Sequence, residues 1–313
     1  MQPERRKLNI LSDILGHFYK SGNELLFSCP QCKHHKRKLS INIEKDAFKC
    51  WICDYHGRSL RRLVRRYGSF NQRSEWSEIT GRVDLSSFGD DLFSTEIQEE
   101  EQKISLPEEF ISLANSSLPV HARPALKYLR QRGVTDKDIM RWKIGYCPSG
   151  EYSDRVVVPS FGLSGHCNYF VSRTYSGTWP KYKNPQAGRD IIFNHLYIDW
   201  DSDLVIVEGA FDAIVAGPNS VPILGSTIRE KSIIFQEIVN NDTPVYIALD
   251  PDAEKKSMYI INKLLEYGLE VYKINVSPYN DVAEMRKEVF EERKKEAELM
   301  NSDNYLFRVI NSI

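Results

Sequence analysis

Asp203-Leu204-Val205-Ile206-Val207-Glu208-Gly209-Ala210-Phe211-Asp212-Ala213 decides the fold of the larger part of this chain. Its apolar run is what a strand buried on both faces of a parallel sheet needs. The run ends at Glu208, Gly209 permits a tight turn, and Asp212 falls in the first turn of the helix that follows. A second run, Val245-Tyr246-Ile247-Ala248-Leu249, ends in Asp250-Pro251-Asp252. Carboxylates two residues apart project to the same side of an extended chain. From residue 203 onward the pattern alternates strand and helix, the signature of a parallel α/β sheet. Such sheets place ligands at the carboxyl ends of their strands. If the two strands are neighbours, Glu208, Asp250 and Asp252 meet in one acidic pocket. Clustered carboxylates repel and raise one another's pKa. A bound Mg(II) or Mn(II) removes that conflict and keeps water positions for substrate phosphates.

Working backward, Arg155-Val156-Val157-Val158-Pro159 reads as a strand, Phe161 to Gly165 as a turn, and His166 to Arg173 as a second strand. A basic, aromatic loop follows from Thr178 to Pro185. Pro124 to Arg132 has the pattern of a short helix ended by Gly133, and Thr135 caps another with Asp136 and Asp138 in its first turn. A helical pattern is also expected around Pro107. Residues 68–106 are polar and acidic without sustained periodicity, which predicts a flexible linker with a docked segment near Leu92-Phe93.

Near the N-terminus, Cys29-Pro-Gln-Cys32 and Cys50-Trp-Ile-Cys53 are separated by 17 residues. This is the spacing of a zinc site. Two C-x2-C turns aim four thiolates at one point and close a tetrahedral shell, so the zinc is expected to be structural. Leu39 to Ile43 alternates apolar and polar residues like a half-exposed strand. Ala47-Phe48-Lys49 leads into the second cysteine pair as another. Together these predict a small zinc ribbon whose Lys36, Arg37, Lys38, Phe48 and Trp51 form a basic, aromatic surface suited to single-stranded nucleic acid. Gly57 to Tyr67 reads as a basic helix. Cys147 and Cys167 stand alone and read as small buried residues.

Composition sets the frame. The chain has 313 residues, room for two or three domains. No run of 18 apolar residues exists, which excludes a membrane-spanning helix. The first ten residues lack the apolar core of a secretory signal, so a cytoplasmic location is expected. The net charge of −1 conceals an asymmetry: residues 1–66 carry 15 Lys/Arg against 6 Asp/Glu, and residues 71–109 carry 3 against 11. A basic head and an acidic stretch suggest a polyanion-binding module on a solvated tether. No G-x-x-x-x-G-K-[ST] occurs, which excludes a P-loop ATPase module.

The ordered series of these segments resembles the bacterial and phage DNA primases: zinc ribbon, linker, and an RNA polymerase domain built around a TOPRIM fold. The cysteine ribbon with Phe48-Lys49-Cys50 and His56-Gly57 is similar to their zinc-binding domain. Tyr128 to Gly133 through Ile144-Gly145-Tyr146 is similar to the start of their polymerase domain. Val207 to Asp212 and Leu249 to Asp252 resemble the two TOPRIM motifs. The second usually reads Asp-Gly-Asp with a following Ala-Gly, and here reads Asp250-Pro251-Asp252-Ala253-Glu254. Asn194 stands where a basic residue is often found.

The resemblance implies a multidomain protein. A small β zinc-binding domain would span 1–67, an acidic linker 68–106, an N-terminal polymerase subdomain 107–200, and a parallel-sheet TOPRIM subdomain with a C-terminal helix from Val282 to about Met300 would span 201–313. It implies an enzyme making short RNA primers on single-stranded DNA from ribonucleoside triphosphates. Glu208, Asp250 and Asp252 would bind the catalytic Mg(II) or Mn(II), with Asp212 and Asp281 assisting. Arg173, Lys181, Tyr182, Lys183 and Asn184 would hold nucleotide and template. A replicative helicase and a single-strand-binding protein are implied as partners, and a phage-encoded chain would act in the host cytoplasm. A non-catalytic alternative is a RecR-like recombination mediator, which also combines a four-cysteine finger with a TOPRIM fold but lacks the 120–200 segment.

Overall fold

The computed structural model describes residues 3–57, 59–80, 101–301, 304, 305 and 308. The chain divides into two compact units, Met1–Glu96 and Ile97–Ile313.

The first unit opens with α1 (Pro3–Leu15) and continues into a five-stranded antiparallel meander. Its strands are β1 (Tyr19–Ser21), β2 (Glu24–Phe27), β3 (Leu39–Asn42), β4 (Ala47–Cys50) and β5 (His56–Gly57), paired in sequence order. Two helices close it, α2 (Arg61–Tyr67) and α3 (Phe70–Thr80). Ile10, Leu11, Phe27, Leu39, Ile41, Phe48, Leu60, Leu63 and Trp76 form its core. The expected basic helix from Gly57 is shorter at its start, because His56–Gly57 pairs with Phe48 and Lys49 as a strand. A Cβ at Gly57 would lie 2.6 Å from Phe48 Cε1, so the strand crosses that ring only as glycine.

Two expectations are corrected here. β3 is buried along its whole length, not half exposed. Glu24 on the neighbouring strand covers its polar positions by accepting from Ser40 Oγ at 2.7 Å and Asn42 Nδ2 at 2.9 Å. The linker expected over 68–106 is folded where it is described. Trp76 is 1% exposed in the first unit's core, so Phe70–Thr80 docks as a helix. In the second unit, Ile104 N–H donates to Cys167 O at 2.9 Å, and Glu101 accepts from Leu163 N and Ser164 N. Leu92 and Phe93 lie outside the described residues.

The second unit contains two sheets. In the first, β6 (Ile111–Ser112), β7 (Gly145–Cys147), β8 (Arg155–Phe161) and β9 (Cys167–Thr174) run antiparallel in that order. The helix expected near Pro107 is instead a turn leading into β6. Between β6 and β7 lie α4 (Arg123–Gln131) and α5 (Asp136–Arg141). Gly133 ends the first at φ +73°, and Thr135 with Asp138 forms a capping box on the second. Cys147 is fully buried, whereas Cys167 is only partly covered.

The second sheet has the order β11-β10-β12-β13-β14. It is built from β10 (Leu204–Val207), α6 (Ala210–Ala216), β11 (Ser220–Pro222), α7 (Ile233–Asn241), β12 (Val245–Ala248), α8 (Glu254–Glu266), β13 (Val271–Lys273), α9 (Lys287–Lys295) and β14 (Glu298–Met300). The first four strands are parallel and β14 is antiparallel to β13. The long charged helix expected after Val282 is a nine-residue helix followed by that edge strand. Lys287 at its start pairs with Asp138 of α5. No helix among the described residues is long and apolar enough to cross a membrane.

Candidate functional site

β10 and β12 are hydrogen-bonded parallel neighbours with Val207 opposite Ala248. Their apolar runs therefore end side by side, and Glu208 and Asp250 sit at adjacent tips. Gly209 caps α6, and Asp212 Oδ2 accepts from Gly209 N at 2.9 Å. The other oxygen of Asp212 accepts from Ala283 N at 2.8 Å. Asp281 caps the short turn Val282–Glu284 by accepting from Glu284 N. Asp212 and Asp281 thus brace the two chain segments that wall the pocket.

Burial pushes Asp250 up to about 7, reinforced by the charges of Asp212, Glu208, Asp281 and Asp252. Asp212, 7% exposed, is pushed up to about 6 by burial against the pull of the Ala283 N–H. Glu208 Oε2 and Asp250 Oδ1 are buried with no hydrogen-bond partner. Orphaned carboxylate oxygens in a repelling cluster are the donor set a hard divalent cation takes. The site fits such an ion in its chemistry, while its oxygens stand farther apart than the sulfurs of the first unit. Among the described residues, only the four cysteines form a set of three or more ligands within 4.8 Å of one another. Asp252 is exposed at the rim. Lys256, on the first turn of α8, instead reaches Glu208 Oε1 at 2.7 Å.

The basic segment divides in two. Arg173 on β9 donates to the Tyr182 hydroxyl at 2.6 Å, and its guanidinium lies 5.1 Å from the Tyr182 ring and 5.2 Å from Phe211. Phe211 precedes Asp212 on α6, so Arg173 and Tyr182 border the acid pocket. Tyr182 keeps 40% of its surface exposed, yet burial is the main cause raising its phenol pKa, with Asp212 adding to it. Lys181 is exposed beside Tyr182, 5.9 Å from its ring. The other two residues point elsewhere. Lys183 pairs with Glu151 at 3.1 Å, and Asn184 Oδ1 accepts from Ser172 N to hold the loop on β9. Strand pairing through the Arg173–Tyr182 bridge sets this alternation.

Two neighbours escaped the sequence reading. Lys256 is one, and its position one turn beyond Asp252 was the available signal. Arg132 is another, with its guanidinium 5.3 Å from Phe211. Buried Arg155 donates to Pro180 O at 2.7 Å, pinning the root of the loop that carries Trp179, which is 90% exposed. Beyond the tip of β11 lies a cavity of about 530 Å³ lined in part by Arg189, Ser226, Thr227, Arg229 and Lys231. Leu224 N–H donates to Glu208 O at 3.0 Å, so this wall is tied to the acid pocket.

In the first unit, Cys29 Sγ and Cys53 Sγ are 3.8 Å apart, and Cys32 Sγ and Cys50 Sγ 3.9 Å. Sulfurs on a tetrahedron at 2.3 Å from zinc are about 3.8 Å apart, whereas a disulfide needs about 2.05 Å. Each turn closes the same way. Lys33 N–H donates to Cys29 O and Asp54 N–H to Cys50 O, with both residues at positive φ. Burial pushes the Cys29 thiol up to about 12, while the Cys53 and Ile52 N–H groups draw Cys50 down against its burial. The expected surface is partly corrected. Phe48 is 4% exposed and belongs to the core, whereas Trp51 is 66% exposed under Lys49, and Tyr19 is 64% exposed under Arg37.

No family model matches the chain. It is similar to the DNA primase of Thermotoga maritima, 23% identical over 305 aligned residues that cover 82% of this chain and 53% of the relative. It is also similar to the DNA primase of Aquifex aeolicus, 24% identical over 358, covering 98% of this chain and 69% of that one. The chain therefore spans about half to two thirds of these relatives. Among solved structures it shares the fold of a DnaG primase catalytic domain bound to single-stranded DNA, with TM-score 0.53 and 19% identity over 72% of this chain and 82% of that one.

Proposed function

We propose that this chain is a DNA primase that joins ribonucleotides on a single-stranded DNA template by metal-dependent nucleotidyl transfer. The observation that carries the reading is the adjacency of β10 and β12, with orphaned Glu208 Oε2 and Asp250 Oδ1 at their tips, in a chain similar to bacterial primases. In the reaction, a 3′-hydroxyl attacks the α-phosphate of the incoming ribonucleoside triphosphate and pyrophosphate leaves. Glu208, Asp250 and Asp252 would hold Mg(II) or Mn(II), which supplies charge neutralisation at phosphate and a lower pKa for the attacking hydroxyl. Asp212 and Asp281 keep the pocket walls in place through their backbone hydrogen bonds.

Arg173, buried and donating to Tyr182 at the pocket's border, would turn its remaining planar donors to phosphate, and exposed Lys181 would add a point charge. The cavity beyond β11 has the volume for a nucleotide, with Arg189, Arg229 and Lys231 in its lining beside Asp190 and Glu230. Tyr182 and Trp179 offer faces on which bases stack. The cysteine cluster would hold a structural zinc. Trp51 with Lys49 and Tyr19 with Arg37 would then give that unit a surface for template. A replicative helicase and a single-strand-binding protein remain the partners proposed for work at a fork, in the cytoplasm. The mediator alternative is disfavoured by the folded β6–β9 sheet and its basic loop.

The test is RNA synthesis on mixed-sequence single-stranded DNA with labelled ribonucleotides and Mg(II) or Mn(II). Short RNA made by the wild type and absent from Glu208→Gln and Asp250→Asn is the expected result. No RNA with either metal, with single-strand binding that survives Glu208→Gln, overturns the reading.

A further inference from the structure

We infer that Lys256 is the internal counter-cation of the acid pocket, holding Glu208 until a divalent cation binds and then turning to the phosphates of the substrate. The inference rests on the proposed function for its substrate, whereas the Mn(II) arm of its test does not.

The pocket divides the two oxygens of Glu208. Oε1 faces the Lys256 ammonium at 2.7 Å, while Oε2 is buried without a partner, as is Asp250 Oδ1. The Lys256 and Glu208 side chains are 24% and 22% exposed, so the pair is sheltered from solvent on most of its surface. Among the described residues, this one ammonium is the only cation in an ion pair with Glu208, yet Glu208, Asp212, Asp252 and Asp281 all act on Asp250. The cluster is therefore under-compensated and retains an open donor set.

A divalent ion seated on the orphaned oxygens places a second cation close to the ammonium. The two repel strongly in a sheltered pocket. Lysine can yield, because its charge rides on a flexible four-carbon stem. Its helix cannot: α8 is anchored by buried Met258, Ile260, Ile261 and Leu264. The released ammonium thus stays beside the pocket, where a metal-bound triphosphate brings new negative charge. Lys255 is the natural control, being exposed on the same helix turn.

The experiment uses the zinc-loaded full chain. Mn(II) alone is titrated by electron paramagnetic resonance, and Mn(II) with a non-hydrolysable ribonucleoside triphosphate analogue by calorimetry. Methionine at 256 keeps the apolar stem and removes the charge. Lys256→Met should bind Mn(II) about fivefold more tightly and the metal–analogue about fivefold more weakly, the scale of one partly sheltered charge pair. Lys255→Met should move neither. Opposite signs are the signature, because a merely structural role would weaken both.

Weakening of both shows that Lys256 only orients Glu208 and overturns the inference. No change in either overturns it as well, and tightening of both sinks the phosphate half. A wild-type chain that binds no Mn(II) at Glu208 also sinks it. Mn(II) and analogue binding with the expected signs but no RNA synthesis would overturn the activity and leave the lysine's role standing. Thermal melting matched to wild type excludes a folding defect in Lys256→Met.

Discussion

In the cysteine cluster four sulfurs lie within 4.8 Å of one another, whereas at the strand tips Glu208 leans on Lys256 and leaves Oε2 without a partner. The first arrangement is made by local backbone. Two turns with positive-φ closing residues preset the thiolates, and nothing is left for a substrate. The second is made by tertiary structure, since Glu208 and Asp250 are 42 positions apart and meet only because β10 and β12 pair. The contrast separates a centre that holds a fold together from one that the fold holds open.

Loss of zinc is expected to have the largest effect. Structural zinc contributes about 10–16 kcal/mol of apparent binding energy in small domains. Cys50→Ser, or chelation, should unfold the first unit and expose Trp76, read as a red shift in tryptophan emission and as proteolysis within residues 3–80. The second unit's melting transition should stay in place. A first unit that keeps its fold without zinc would break the comparison at its root.

Glu208→Gln should do the reverse. RNA synthesis should fall by about 10³-fold or more, as for loss of a charge that organises the reacting groups. Melting should hold or rise, because a repelling charge has been removed. A fall in melting temperature matching that of Cys50→Ser would make the acid pocket a structural centre too.

A smaller effect distinguishes the two centres by the sign of their pH dependence. Asp250 is raised to about 7 in the folded chain, above its ordinary value of about 4 when unfolded. The folded state therefore holds more protons across that window. Its stabilisation is complete below about pH 4 and is lost as pH rises through 7. Without Mg(II) or Mn(II), the second unit should melt a few degrees lower at pH 7.5 than at pH 5.5. Asp250→Asn should flatten that slope. Zinc binding requires ionised thiols, so the first unit should gain stability over the same interval. Parallel slopes in the two units would contradict the contrast.

The strand tips were legible because two apolar runs each ended in acids, a pattern that buried parallel strands with a ligand at their tips produce directly. The cysteine spacing was legible because its geometry is local. What failed depended on contacts distant in sequence. Phe70–Thr80 lacks an amphipathic stripe and docks chiefly through Trp76, so its composition read as linker. β3 alternates in sequence but is covered on both faces, because Glu24 reaches across to Ser40 and Asn42. Lys183 and Asn184 share the basic loop with Lys181 and Tyr182, yet the Arg173–Tyr182 bridge turns them toward Glu151 and Ser172. Lys256 was missed because its role lies in helical phase, one turn after a motif whose acids drew the reading.

The two units also share a feature that tests how far they cooperate on one ligand. Each carries an aromatic ring exposed near a cation: Trp51 beneath Lys49 in the first, and Trp179 two residues before Lys181 in the second. Solvent-exposed indoles lose hydrophobic free energy unless a partner covers them, and base stacking contributes about 1–3 kcal/mol per base. Trp179 sits on a loop whose root Arg155 fixes, so little ordering cost offsets stacking there. Trp179→Ala should weaken binding of single-stranded oligonucleotide about fivefold, measured by anisotropy, without changing melting. Trp51→Ala should produce a similar loss. If the losses add in the double variant, each ring stacks on its own base. If the double variant loses no more than either single one, the two rings contribute only when both are engaged; if it loses far more than the two single losses combined, each ring can stand in for the other.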